Sequence, residues 1–178
     1  MNKFLLFAGA AVFSLSALTA CGQKEDKSKR PSPPATAKQT ISSGATVTID
    51  YSQPSVKGRT IGKEGDGGVE PYAGKVWRTG ANECTTFEVD KDVKIEGKSL
   101  AKGKYGLFTI SGDEWTIIFN SDAKQWGAYD YKEAKDVLRV KVKPGKAASF
   151  AEKMTFNISK DGKVSLMWGD IQVDFTVQ

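Results

Sequence analysis

The sequence predicts an all-β protein: an antiparallel β-sandwich of about nine or ten strands with a C-terminal three-strand meander. Two observations predict it. Apolar and polar residues alternate from residue 41 onward, and turn signals interrupt the alternation every 8 to 12 residues or so. A period of two places every second side chain on the same face of a strand, so each alternating run is a half-buried strand.

The strands follow one another along the chain. Residues 47–51 and 138–142 alternate strictly, which predicts strands with one buried face. Residues 105–110 and 115–119 are apolar on both faces, as is typical of the centre of a sandwich. Shorter strands are predicted at residues 75–77, 85–89 and 93–95.

The C-terminal meander is predicted from its turns. An Asp-Gly pair at 161–162 separates the alternating residues 154–158 and 164–168, and Asp-Gly between such runs is a strong hairpin signal. A Gly-Asp pair at 169–170 then leads into a third alternating run at 171–177.

The N-terminus has the features of a lipoprotein signal peptide, predicted at residues 1–20. A lysine precedes an apolar run at 4–18, which is too short for a spanning helix. Residues 18–21, Leu-Thr-Ala-Cys, resemble a bacterial lipobox, so Cys21 is the predicted lipidation site, a palmitate-type anchor in the cell envelope. We expect the outer membrane as its location. The alternative is an ordinary cleaved signal followed by a chance cysteine.

Residues 21–40 are predicted to be a lipid-anchored, disordered linker, and residues 41–178 the β-sandwich domain. The segment is rich in proline and lysine and, from residue 22, has no large apolar side chain. Lys24, Glu25 and Asp26 resemble the surface-export signal of Bacteroidota lipoproteins, which predicts surface exposure. The alternative is that they are only the first polar residues of a tether.

The charge of the chain predicts no nucleic-acid partner. The formal net charge is +5, but the signal peptide and the linker hold most of it. Residues 41–178 contain 20 basic and 19 acidic residues. A domain that is nearly neutral lacks the basic surface that nucleic-acid binding requires.

The absence of histidine excludes several kinds of catalytic site. No Ser-His-Asp triad, Cys-His dyad or histidine zinc site is possible, and no phosphate-binding or dinucleotide-binding glycine motif occurs. We therefore predict no cofactor. We also predict no metal, because the acidic residues Glu64, Asp66 and Glu70 lack the spacing of a calcium loop. With Cys21 acylated, Cys84 has no disulfide partner.

A polar, aromatic and glycine-rich segment at residues 71–83 is the first candidate site. Planar donors and a carboxylate of this kind hold sugar hydroxyls, a carboxylate or a peptide terminus. The candidate ligand-binding residues are Arg78, Asn82 and Glu83 in this segment, together with Lys57 and Arg59 in residues 54–59. In the alternative interpretation Arg78 pairs with Glu83, Gly80 and Asn82 shape a turn, and Trp77 fills the core.

A cluster of aromatic residues is the second candidate site. Trp126 and Tyr129 lie on a predicted loop, where exposed rings stack on sugars or capture peptide side chains. The alternative is that Trp126 caps one end of the sandwich. Trp115 and Trp168 lie on alternating strands and are predicted to be core residues.

Several segments together resemble a known family. They are residues 54–59, 69–83, 107–110, 114–120, 125–129 and 136–140. On these segments the chain resembles the domain of unknown function 2911, found largely in secreted proteins and lipoproteins of Bacteroidota. The resemblance implies an extracytoplasmic β-sandwich and no particular activity. Cys84 departs from the alanine usual in similar sequences, and we expect a small buried thiol there.

Three functions remain open. The first is a non-catalytic, membrane-tethered binding or assembly module for a glycan, a peptide or an envelope protein. The second is a carboxylate-based hydrolase that uses Glu83 together with Glu88 or Asp113. The third is a purely structural lipoprotein that docks through an apolar patch or an unpaired strand edge.

Overall fold

The computed structural model describes residues 26–178, and the predicted signal peptide, Cys21 and residues 22–25 lie outside this range. Within it the protein is all-β, which confirms the predicted fold class, and short 3-10 helices occur at Lys27–Lys29 and Glu133–Lys135. Among the described residues no helix is long and apolar enough to cross a membrane. The strands are β1 (Pro34–Thr40), β2 (Thr46–Ser52), β3 (Thr60–Ile61), β4 (Gly68–Val69), β5 (Val76–Trp77), β6 (Thr86–Val89), β7 (Val93–Ile95), β8 (Lys98–Leu100), β9 (Gly103–Ile110), β10 (Trp115–Asn120), β11 (Asp136–Val142), β12 (Pro144–Ile158) and β13 (Lys163–Thr176).

One layer of the fold is an antiparallel sheet of seven strands. Its order is β1-β2-β6-β9-β10-β11, and β5 also pairs with β9. The central strands are buried on both faces, as predicted: Leu107 and Phe119 face the main core, whereas Phe108 and Ile118 belong to a second apolar cluster. Two short pairs, parallel β3-β4 and antiparallel β7-β8, lie outside this sheet.

The second layer is a long hairpin made of β12 and β13. Gly162 forms part of its turn, and only glycine fits, because its φ is +89° and a Cβ there would lie 1.9 Å from the carbonyl oxygen of Val177. The predicted second turn at 169–170 is not a reversal. Gly169 pairs with Ala151 at a register shift, so the chain bends and continues, and the C-terminus has two long strands rather than three.

The main core lies between the hairpin and one face of the large sheet. Phe87 and Phe119 from the sheet pack edge-to-face with ring centroids 4.9 Å apart. Phe175 from the hairpin lies 6.2 Å from Phe87 in a tilted contact and 6.1 Å from Phe119 in an edge-to-face contact. Trp115 and Trp168 are both 4% exposed, which confirms them as core residues.

A loop at residues 121–135 covers the second apolar cluster. The ring of Tyr131 packs edge-on against Phe108 at 5.0 Å. Its hydroxyl donates a hydrogen bond of 2.6 Å to Asp136 and accepts one of 2.7 Å from Arg139, which also pairs with Asp136. This polar network fixes the loop to the edge strand β11.

The folded part of the chain begins before residue 41. β1 occupies Pro34–Thr40 of the predicted linker and pairs with β2 along its whole length. The linker was predicted because the segment has no large apolar side chain. β1 instead contacts the core through the small residues Ala35 and Ala37. The linker boundary therefore moves toward the N-terminus.

Candidate functional site

A corner loop, residues 78–85, carries three of the seven candidate site residues: Arg78, Asn82 and Glu83. It joins β5 to β6, and both strands pair with the same edge of β9. β5 pairs with residues 109–110 of β9, whereas β6 pairs with residues 103–106. The corner loop leaves the sheet after β5 and returns to it at β6. It therefore projects from between two strands that lie along β9, and not from an end of the sheet.

Buried hydroxyl groups hold the corner loop in place. Thr79 donates from Oγ1 to the hydroxyl of Thr109 at 3.2 Å, and Thr85 donates to the carbonyl oxygen of Thr79 at 2.8 Å. Gly80 packs closely, since a Cβ there would lie 2.9 Å from the hydroxyl of Thr85 and 3.1 Å from the carbonyl oxygen of Ser52. The loop is therefore a fixed support for its charged side chains.

Arg78 forms an ion pair with Glu70. Its Nη1 lies 2.9 Å from Oε2 of Glu70, and the Arg78 side chain is 21% exposed. The alternative in which Arg78 pairs with Glu83 is wrong, because Glu83 has two other cationic partners. Glu70 lies in the run of polar and aromatic residues before Arg78, but nothing in that spacing indicates the ion pair.

A cleft of about 220 Å³ opens beside Arg78. Its walls come from the segment before β1, the loop after β2, the strands β4, β5 and β13, the residue after β4, and the corner loop. The lining includes Ser32, Arg59, Glu70, Trp77, Arg78 and Trp168. Of the candidate residues, the structure therefore brings Arg59 and Arg78 together.

The lining residues of the cleft carry three N–H groups without partners. Trp77 and Trp168 are 2% and 4% exposed, and neither indole N–H has a hydrogen-bond partner within residues 26–178. The buried Nε of Arg78 is likewise without a partner in the described chain. A buried donor without an acceptor costs about 1 to 3 kcal/mol, so an acceptor group that reached one of these N–H groups would be bound favourably.

Arg59 and Lys57 differ in their relation to the cleft. Arg59 is anchored to its own loop, where it donates to the carbonyl oxygens of Ser55 and Val56 at 2.6 and 3.0 Å. Lys57 is exposed. Its main-chain N–H donates a hydrogen bond of 2.9 Å to the Glu152 carboxylate. Arg59 adds positive charge to the cleft, whereas Lys57 is not among its lining residues.

Glu83 binds the segment that precedes β1. Its carboxylate accepts a hydrogen bond of 2.7 Å from Lys27 and bonds of 3.0 and 2.9 Å from Arg30. Partial burial by itself would raise the pKa of Glu83, but the hydrogen bonds from Lys27 and Arg30 prevail and lower it to about 2. Glu83 is therefore ionised throughout the physiological pH range.

Asn82 holds the same N-terminal segment. Its side-chain amide donates to the carbonyl oxygen of Ser32 at 3.0 Å, and its own carbonyl accepts from Gly127 at 3.2 Å. Its φ of +58° is one that asparagine tolerates better than most residues. Asn82 and Glu83 thus fasten the chain N-terminal to β1.

The predicted aromatic pair lies on the neighbouring loop. Trp126 is 53% exposed and Tyr129 is 85% exposed. About half of the Trp126 surface is in solvent, so part of this side chain is accessible to a ligand. A Cβ at Gly127 would lie 3.1 Å from the ring of Tyr129 and 3.7 Å from Cδ of Arg78, which shows how close the aromatic loop comes to the cleft.

Cys84 lies on the opposite side of the sheet from the main core. It is buried in the second apolar cluster with Phe108 and Ile118. Burial raises the pKa of the thiol to about 12. The structure therefore places a small buried thiol at this position, as expected.

Several acidic side chains in the described part of the chain form ion pairs. Glu64 pairs with Lys75 at 2.8 Å, and Glu88 pairs with Lys104 at 3.2 Å. Within residues 26–178 no group of three acidic or thiol side chains is placed to hold a metal ion.

The fold and the site define an all-β domain with a donor-lined cleft beside a rigid corner loop. Residues 32–177 match the model of a family described as a protein of unknown function (DUF2911). The match covers most of the chain, which belongs to this family, as its resemblance indicates. Neither curated proteins nor solved structures give a significant match.

Proposed function

We propose that this protein is an envelope lipoprotein whose β-sandwich domain is a non-catalytic binding module. The lipobox-like sequence that ends at Cys21 supports the anchor, and the residues after it support display at the surface of the outer membrane. The mass of the N-terminal peptide tests the anchor: acylation of Cys21 is expected, and an unmodified cysteine would contradict it. Protease treatment of intact cells tests which side of the membrane the domain occupies.

The unpartnered donors of the cleft carry the proposal of binding. The unpartnered N–H groups of Trp77, Arg78 and Trp168 and the guanidinium groups of Arg59 and Arg78 belong to residues that line one cavity. Such a lining recognises acceptor groups and negative charge, because arginine binds a carboxylate in a planar, two-point geometry. We propose that the ligand presents a carboxylate, which is either the terminus of a peptide or the acid group of a glycan.

Pairs of matched ligands test this proposal. The mature chain in detergent is titrated with a short peptide that has a free C-terminus and with its amide, then with an oligosaccharide of uronic acid and its neutral counterpart. We expect one carboxylate ligand to bind and its neutral partner to fail. A thermal shift reports the result, since a ligand at 100 times its Kd adds about 2.7 kcal/mol of stability.

Two variants locate the site. Arg78→Gln is expected to abolish binding, whereas Lys57→Gln is expected to retain it, because Lys57 is exposed and does not line the cleft. Circular dichroism shows whether each variant is folded. Binding that persists in folded Arg78→Gln, or that is equal for charged and neutral ligands, would contradict the proposal.

The hydrolase hypothesis has less support. A general acid needs a carboxyl that holds a proton near neutral pH, and Glu83 has a pKa of about 2. Glu83 is also occupied by two cations, while Glu88 pairs with Lys104. Turnover of a glycan that disappears in folded Glu83→Gln would restore this hypothesis. A purely structural role would be favoured if no ligand binds and Arg78→Gln is strongly destabilised.

A further inference from the structure

Two of the large exposed apolar side chains in the described chain lie on one loop. They are Trp126 and Tyr129. Tryptophan and tyrosine are the residues that favour the boundary between lipid and water, because each joins an apolar ring to a polar N–H or hydroxyl. The loop therefore has the side chains of a membrane-contacting surface.

The same corner holds the chain segment that leads to the predicted anchor. The main chain of Trp126 forms an antiparallel bridge with that of Glu83, so the two backbones are adjacent. The Glu83 carboxylate in turn binds Lys27 and Arg30. The Trp126 loop and the N-terminal segment consequently share one corner of the domain.

The length of chain outside the described residues limits how far this corner lies from the bilayer. Asp26 follows Cys21 by five residues. Five residues span at most about 17 Å when fully extended. With acyl chains attached to Cys21, Asp26 lies within that distance of the membrane surface. The ion pairs of Lys27 and Arg30 with Glu83 keep the corner next to this segment, instead of leaving the domain on a tether of twenty residues.

We infer that this corner is the membrane-contacting surface of the lipoprotein, with the rings of Trp126 and Tyr129 in the headgroup region of the bilayer. The inference rests on the proposed lipidation of Cys21. The acyl chains supply the strong attachment, and the aromatic loop orients the domain. Orientation matters because the cleft beside Arg78 adjoins the aromatic loop, so its ligand would be met close to the lipid surface.

Fluorescence quenching by lipids tests the inference directly. The chain has four tryptophans, and Trp77, Trp115 and Trp168 are at most 4% exposed. The lipidated protein is reconstituted into vesicles of phosphatidylcholine with brominated acyl chains, and the emission of a Trp126→Phe variant is subtracted. We expect the Trp126 component to be quenched relative to unbrominated vesicles. An unquenched Trp126 in protein with an acylated N-terminal peptide would overturn the inference and leave the anchor intact.

A pair of glutamate variants tests the role of the N-terminal segment. Glu83→Gln weakens the attachment of Lys27 and Arg30, so the tether lengthens and the quenching of Trp126 is expected to fall. Glu88→Gln is the control, because Glu88 pairs with Lys104 on the sheet and not with the N-terminal segment. Equal quenching in both folded variants would overturn the role assigned to Glu83. An unmodified Cys21 would instead refute the anchor itself.

Discussion

The indole rings of Trp77 and Trp168 stack with centroids 5.7 Å apart and an angle of 11° between their planes. Trp77 ends β5 and Trp168 lies in β13, so this contact joins the large sheet to the hairpin. Both residues also line the cleft. The packing between the layers and the shape of the candidate site therefore depend on the same pair.

Replacement of Trp168 with alanine is expected to lower the free energy of unfolding by about 3 to 5 kcal/mol, because it leaves a cavity and removes the stack. Tyr129→Ala is the control and is expected to change stability by about 0.5 kcal/mol or less, since that side chain is 85% exposed. Denaturation in guanidinium chloride measures both. Similar losses in the two variants would contradict the placement of these residues.

Removal of the Glu70 charge is expected to strengthen the binding of a carboxylate ligand. Glu70 occupies Arg78 at 2.9 Å, and Glu70→Gln leaves that guanidinium available without competition. The pair is partly exposed, so its loss is expected to cost only about 1 kcal/mol of stability or less. Titration with the carboxylate ligand that binds the wild type gives the Kd.

Glu64→Gln is the control for Glu70→Gln. Glu64 lies in the loop before β4, whereas Glu70 lies in the loop after it, and Glu64 pairs with Lys75. Its removal is expected to leave the Kd unchanged. If both variants strengthen binding equally, the effect comes from net charge near the cleft and not from the release of Arg78.

Acid is expected to weaken the attachment of the N-terminal segment to the corner loop. The pKa of Glu83 is lowered from 4.5 to about 2, so the folded state favours the ionised carboxylate. The stabilisation is complete above pH 4.5 and is lost as the pH falls toward 2. Because the Glu83 side chain is 36% exposed, we expect about 1 kcal/mol after solvent screening.

A comparison of wild type with Glu83→Gln measures this effect. The difference in unfolding free energy is expected to be constant between pH 7 and pH 5 and to shrink below pH 4.5. A difference that grows as the pH falls would have the wrong sign for an ion pair at Glu83.

Alternation predicted the strands well because it reports directly on burial. Val47 and Ile49 are fully buried, as their spacing indicates. The same criterion missed β1, where Ala35 and Ala37 contact the core with little apolar area. At Gly169 the turn signal was present, but the pairing with Ala151 kept the chain within the strand.

The sequence predicted the kinds of residue in the candidate site, but not the ion pairs that they form. Arg59 and Arg78 do line one cleft, but local spacing contains no information on which acid each arginine meets. Glu83 lies more than fifty positions from Lys27 and Arg30, so its partners depend on how the chain folds back across the corner loop. Alternation fixes the face of a strand and leaves its neighbours open.

Cys84 is expected to react slowly with thiol reagents in the folded protein. Its side chain is buried, and burial raises the thiol pKa to about 12, so little of the reactive thiolate exists at pH 8. Labelling with iodoacetamide, followed by mass spectrometry, is expected to modify Cys84 in guanidinium chloride and to leave it nearly unmodified in buffer. Asp122→Asn controls for charge: Asp122 adds to the rise in pKa, but burial dominates, so labelling in buffer should stay slow. Rapid native labelling would mean that the loop over the second apolar cluster opens readily.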